Sequence, residues 1–248
     1  MGVSLSAGQV RTPGDAKASW RPAPAGAIRF VVVAGVAIVV AHLLDAWAQV
    51  NLVDSDIYDD DFGRLLRVMG FYPLWLLGGM AILLTDWPAV RCWLARREAC
   101  RRAGLLILAP AVGGLLAEVG KVAFRRLRPG EVPGEYVFRS WAERPFYSGG
   151  LGLPSSHTLV AFAAAALMAR LFPRAAPVWY LLAAGCGLSR VAAGAHFLSD
   201  VTVAAVLGWL TAWAIWNWNF GRGRDESLAA RAREGTAPGD PAPVAAAS

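Results

Sequence analysis

The sequence predicts an all-α membrane protein with six transmembrane helices, and three observations carry that expectation. Of 248 residues, 56% are hydrophobic and only 17% are charged, against roughly 25% charged in an ordinary soluble domain. The mean hydropathy is +0.43. Apolar stretches recur along the chain, several of them shorter than the roughly 20 residues of a bilayer crossing unless flanking residues are counted. A chain of this length accommodates six crossings and short loops in one membrane domain, with little left for a second folded unit.

Residues 1–27 are rich in Gly, Ala, Pro and Ser without apolar periodicity, and they read as a disordered cytoplasmic leader. The membrane domain is expected over 28–220. Its first span runs from about Phe30 to Ala48 and carries His42 and Asp45 near its end. There Ala46-Trp47-Ala48 before Gln49 resembles a signal-peptidase site, but the long leader ahead of it argues for an uncleaved span. Further apolar stretches lie at about 71–86, 104–120, 157–172, 177–195 and 200–218. Pro110 falls inside the third, where a neighbouring helix or a kink absorbs the lost hydrogen bond. Residues 221–248 read as a disordered cytoplasmic tail. Cys92, Cys100 and Cys186 are odd in number and lack the paired spacing of a zinc or redox motif.

Positive residues in short loops mark the cytoplasmic side. Arg11, Lys17, Arg21 and Arg29 precede the first span, and Arg91, Arg96, Arg97, Arg101 and Arg102 lie between the second and third. Arg174 follows the fourth, and Arg222, Arg224, Arg231 and Arg233 follow the sixth. Both termini are therefore expected inside a cytoplasmic membrane. The loop holding Asp54, Asp56, Asp59, Asp60 and Asp61 then lies outside as solvated charge, with Arg64 and Arg67 as minor exceptions. The net charge of +6 forms no long basic arm, so topogenic charge explains it and no nucleic acid is implied.

One loop breaks the charge rule. Residues 125–153 carry Arg125, Arg126, Arg128, Arg139 and Arg144, yet the parse places them on the outer face. Arginine on the wrong side of a membrane needs a reason other than topology, and binding an anionic group supplies one.

Three segments meet on that same face. Lys121-x6-Arg128-Pro129 follows the third span, Pro154-Ser155-Ser156-His157 opens the fourth, and Ser189-Arg190-x5-His196-x3-Asp200 joins the fifth to the sixth. This inventory suits phosphoryl transfer, which depends mostly on positioning and on neutralising the equatorial oxygens. Arg128 and Arg190 offer forked donors, and Lys121 adds a compact charge. Ser155, with the backbone N–H groups at the helix start, adds donors favoured by the helix dipole. His196 is the expected nucleophile, with Asp200 holding its tautomer. His157 is placed to protonate the leaving alkoxide and later to activate water. No metal or other cofactor is required. Glu118, one turn before Lys121, is expected to pair with it, and His42 stands outside any motif.

These spacings resemble the signature of the type-2 phosphatidic-acid-phosphatase superfamily, whose motifs are Lys-x6-Arg-Pro, Pro-Ser-Gly-His and Ser-Arg-x5-His-x3-Asp. The resemblance covers roughly residues 104–218, and Ser156 stands where the family usually has Gly. It implies the family's six-helix bundle, with phosphate binding by Lys121, Arg128, Ser155, Ser156 and Arg190. It also implies His157 as acid, His196 as nucleophile and Asp200 as its orienting partner. The implied activity is hydrolysis of a lipid phosphomonoester or diphosphate: phosphatidic acid, phosphatidylglycerol phosphate, a polyprenyl diphosphate or a lipid A phosphate. The partners are then a phosphorylated lipid and the bilayer, and the sequence assigns no oligomeric state. A phosphotransferase passing the phosphate to a second lipid would use the same residues, and release of free phosphate separates the two. A non-catalytic lipid-binding or transport protein would need only the spans, and the intact His157, His196 and Asp200 argue against it.

Overall fold

Helices begin close to where the apolar stretches begin. The computed structural model describes residues 24–54, 56–86 and 93–234. In chain order its helices are α1 (Pro24–Leu43), α2 (Asp45–Asn51), α3 (Asp61–Val68), α4 (Tyr72–Asp86), α5 (Trp93–Phe124), α6 (Ser156–Leu171), α7 (Ala176–Ala192) and α8 (Leu198–Glu234). A 3-10 turn, Pro173–Ala175, precedes α7. Among the described residues there is no strand, only isolated antiparallel bridges of Arg126 with Phe138 and Leu127 with Leu151.

The stretch expected as one span from Phe30 to Ala48 breaks at Leu44 into α1 and α2. Its cause is Asp45: a carboxylate is costly against lipid, and here it is 1% exposed and accepts the Ser199 N–H at 2.8 Å. The expected leader, residues 1–27, coincides with α1 from Pro24 onward, and residues 1–23 lie outside the described residues, with Arg11, Lys17 and Arg21. Arg91 and Cys92 also lie outside them. At the other end α8 continues past the expected boundary at 220 to Glu234, and 235–248 lie outside the described residues. The Asp-rich loop also holds an element that its charges conceal, the helix α3.

Among the described residues, three helical stretches are long and apolar enough to cross a membrane: Gly26–Leu43, Arg96–Phe124 and Leu198–Asn219. A fourth crossing results if α3 and α4, bent by 66°, count as one broken span. α6 has 16 residues and α7 has 17, or about 25 Å at 1.5 Å per residue, short of a hydrocarbon core of about 30 Å. Length and composition thus give three or four crossings where the sequence led to an expectation of six.

α6 is the central helix, packed against α5, α7 and α8. Its Ala161, Ala163, Ala164, Ala165 and Ala166 are fully buried, and such small side chains let neighbouring backbones approach closely. The outer surface is the reverse of a soluble protein's. Val31, Val33, Val36, Leu77, Leu84, Leu115 and Leu181 are each more than half exposed. Against water so large an apolar surface would be a liability; against lipid it is the matching solvent.

Candidate active site

Four helix ends meet at one end of the bundle: the C-termini of α5 and α7 and the N-termini of α6 and α8. Lys121, on the last turn of α5, donates to Ser156 Oγ at 3.1 Å and to Glu118 Oε1 at 2.6 Å. Ser155 caps α6 in an extended conformation and is fully buried. Its N–H donates to the Asp200 carbonyl at 3.4 Å, and its Oγ accepts from Thr158 Oγ1 at 3.1 Å. His157 lies within electrostatic reach of Arg190, His196 and Lys121, and His196 within reach of Arg190 and Arg128. The structure therefore brings Lys121, Arg128, Ser155, Ser156, His157, Arg190, His196 and Asp200 to one place. Positive φ at non-glycine positions is confined, among the described residues, to Arg125 and Arg144. The backbone at Ser156 thus has no need of Gly, and its hydroxyl adds an acceptor for Lys121.

The imidazole of His196 is 3% exposed, and its Nδ1 lies 2.9 Å from the Gly152 carbonyl. A carbonyl only accepts, so this contact requires hydrogen on Nδ1 and leaves the Nε2 lone pair free. Asp200 Oδ2 is 3.7 Å from Nδ1, an ion-pair distance beyond hydrogen-bond range. The tautomer is therefore held by the backbone of Gly152, with Asp200 acting as a nearby charge. The residue at 152 must be small: a Cβ there would stand 2.9 Å from Asp200 Oδ2. Burial holds the His196 imidazole below its ordinary value of 6.5, opposed by Asp200, which favours the cation.

Asp200, fully buried, is anchored by the Phe197 N–H at 2.9 Å and by the guanidinium of Arg126. The same Arg126 nitrogen donates to Ser199 Oγ at 2.9 Å. Ser199 in turn donates its N–H and hydroxyl to Asp45, whose Oδ2 also accepts from Tyr136 at 2.8 Å. Burial and the Asp45 carboxylate push the Tyr136 phenol up to about 12, so it remains a donor. His42 lies outside this assembly of candidate groups, 3.9 Å from Asp45 and stacked on Tyr136.

The arginine cluster of residues 125–153 divides its tasks in a way its composition did not foretell. Arg125, 2% exposed, donates to the carbonyls of Arg139, Ser140, Glu143 and Pro145 at 2.6 to 3.0 Å and lies over the Trp141 ring. Arg139 donates to the carbonyls of Tyr147 and Gly149, Arg144 lies over Tyr147, and Arg126 holds Asp200. Of the five, Arg128 is the one with electrostatic reach to His196, and it is exposed. Of the cluster, Arg128 is the residue expected to meet an anion, and main-chain carbonyls, aromatic rings and Asp200 occupy the other four.

Arg190 donates to the Tyr58 hydroxyl at 2.7 Å, and that hydroxyl donates to the Ser189 carbonyl at 3.0 Å. Arg190 Nε is buried and, among the described residues, has no acceptor, which leaves a donor available to an anion. Tyr58, Arg126 and Gly152 are participants that motif spacing missed. A backbone carbonyl carries no sequence signal, whereas the misplaced positive charge at Arg126 was a signal read for the wrong task. Among the described residues no group of three or more His, Cys, Asp or Glu side chains is placed to hold a metal ion.

Residues 102–224 match the model of the PAP2 superfamily. A lipid A 1-phosphatase of Rhizobium johnstonii is 36% identical over 95 residues, which is 38% of this chain and 38% of that protein's length. Among solved structures, a transmembrane PAP2-type phosphatidylglycerolphosphate phosphatase from Bacillus subtilis superposes with a TM-score of 0.51 at 20% identity. That likeness covers 81% of this chain and 94% of the other, and it extends to the fold.

Proposed function

Because the chain belongs to the PAP2 superfamily, we propose that it is an integral membrane phosphatase releasing phosphate from a lipid phosphomonoester or diphosphate through a phosphohistidine intermediate. The single observation that carries this reading is the free Nε2 of His196, held by the 2.9 Å contact of Nδ1 with Gly152 beside the converging cations Lys121, Arg128 and Arg190. Similarity to a lipid A 1-phosphatase supports a phosphorylated lipid as substrate.

In the first step the phosphate oxygens lie among Lys121, Arg128, Arg190, Ser155, Ser156 and the N–H groups opening α6. His196 Nε2 forms a bond to phosphorus as the ester P–O bond breaks, and His157 delivers its proton to the departing oxygen. Positive charge developing on His196 is stabilised by Asp200 at 3.7 Å. In the second step His157, now neutral, takes a proton from water as the water oxygen attacks phosphorus. The P–N bond breaks, its electrons return to His196, and free phosphate leaves.

In the membrane, both termini face the cytoplasm and the site opens on the outer, periplasmic face of the cytoplasmic membrane, with α3–α4, α6 and α7 completing six crossings. The positive residues before α1 and between α4 and α5 support this orientation.

Purified protein supplied with a panel of lipid phosphates tests the reading. Wild type is expected to release inorganic phosphate with a chelator present, vanadate to inhibit, and His196→Ala to be inactive. Turnover by His196→Ala at the wild-type rate would refute the nucleophile, and chelator-sensitive turnover would refute the metal-free mechanism. Cysteine labelling from either side of the membrane tests the orientation.

A further inference from the structure

α3 packs against α7, and the turn that follows it lies against the start of α6. A Cβ at Gly70, two residues after α3, would stand 2.5 Å from His157 Cβ and 2.7 Å from its Cα and carbonyl oxygen. The Cys186 thiol lies between the carbonyls of Arg67 and His157, at 3.9 and 4.0 Å. The segment between α3 and α4 therefore abuts the backbone of the proposed acid.

A pocket of about 290 Å³ opens there, lined by Arg64, Arg67, Val68, Phe71 and His157. The proposed acid must touch the departing oxygen, so the cavity that His157 faces is where the leaving group lies. Val68 and Phe71 provide an apolar wall, and the two arginines a cationic one. Arg64 is already engaged, donating to the Tyr58 carbonyl at 2.6 Å and pairing with Asp61 at 3.5 Å. Arg67 lies 5.0 Å over the Tyr58 ring, and among the described residues no acceptor takes its N–H groups. The opposite relation holds for Arg190, which bonds to the hydroxyl of that same Tyr58. One tyrosine thus separates an arginine assigned to the scissile phosphate from an arginine facing the leaving group. Arg67, exposed at the rim of the pocket, thus offers its forked donors to an anion that enters it.

Resting on the phosphatase reading above, we propose that this pocket receives the leaving group and that Arg67 is a specificity-determining residue, recognising a second anionic group on that leaving group. The favoured substrates are then lipids whose departing portion is itself charged near the scissile bond, such as a diphosphate or a phosphate ester with an anionic headgroup. A phosphate on a neutral alcohol gains nothing from Arg67.

The test is the ratio of kcat/KM for farnesyl diphosphate to that for farnesyl monophosphate, which share one tail and differ by one phosphate. A parallel pair is phosphatidylglycerol phosphate and phosphatidic acid. Arg67→Gln is expected to lower at least one of these ratios about ten- to a hundredfold, the range carried by one charge-assisted hydrogen bond. Arg67→Lys should restore part of it. A fall in the first ratio places the second anion next to the scissile phosphate, and a fall in the second places it on a headgroup. Ratios that stay at the wild-type value, whether or not overall turnover declines, would overturn the proposal, since a purely structural role lowers both members of a pair alike. Absence of phosphate release by wild type from all four compounds would instead strike the underlying phosphatase reading.

Discussion

Replacing Arg126 by Met removes a cation that is 5% exposed from a carboxylate, Asp200, that is fully buried. The side-chain volume is nearly kept, so the main loss is electrostatic. One guanidinium nitrogen serves both Asp200 and Ser199, and among the described residues the other hydrogen-bond donor to the Asp200 carboxylate is the Phe197 N–H at 2.9 Å. Breaking a buried pair from one side costs about 3–5 kcal/mol, a large part of the roughly 5–15 kcal/mol that holds a typical protein folded. Asp200→Asn strands the cation instead and should cost a similar amount. The double variant Arg126→Met/Asp200→Asn buries no unpaired charge and should recover to within about 2 kcal/mol of wild type. Equilibrium unfolding in detergent micelles measures all four proteins. Losses that simply add in the double variant would refute the coupling. Phosphate release supplies the complementary readout: a refolded double variant still lacks the carboxylate beside His196 and should stay nearly inactive.

Other expectations follow from the same geometry. His196 must be neutral to attack, and burial holds its imidazole below 6.5; the acid limb of the kcat/KM profile should therefore fall below pH 6.5, and a limb above that value would mean another group controls the nucleophile. Gly70→Ala sets a methyl against the His157 backbone, so stability should fall by about 1–3 kcal/mol and turnover should drop with it, as unfolding and phosphate release will show. Ser156→Gly removes one acceptor from Lys121 while Glu118 keeps its own, so turnover should change by about tenfold at most, the worth of about 1.4 kcal/mol. A loss as deep as that of His196→Ala would mean the Ser156 hydroxyl takes part in the chemistry itself.

Much of the fold was legible because the solvent is lipid: the apolar stretches at 71–86, 104–120 and 157–172 anticipate α4, α5 and α6 to within a turn, apart from the long N-terminal extension of α5. The candidate site was legible because the groups proposed to react are side chains at fixed spacing, and Lys121, His157 and His196 stand where four helix ends meet. What escaped lies in backbone and in distance. α3 reads as solvated charge because Asp61, Arg64 and Arg67 dominate eight residues, and its packing on α7, where Leu66 meets Gly185, is set at long range. Gly152 escaped because every residue carries a carbonyl, so nothing marks the one that holds His196. Arg126 and Arg128 are the same residue type two positions apart, and only the folded loop turns one to Asp200 and leaves the other exposed.

The four acceptors of Arg125 all belong to the main chain. Side chains between Ser140 and Tyr147 can accordingly be rewritten with little change to the path the segment follows, Trp141 beneath the guanidinium excepted. Variation is tolerated at many positions because it is forbidden at one. That makes the segment a place where new side chains can be introduced while the path of the main chain, pinned by Arg125, stays as it is.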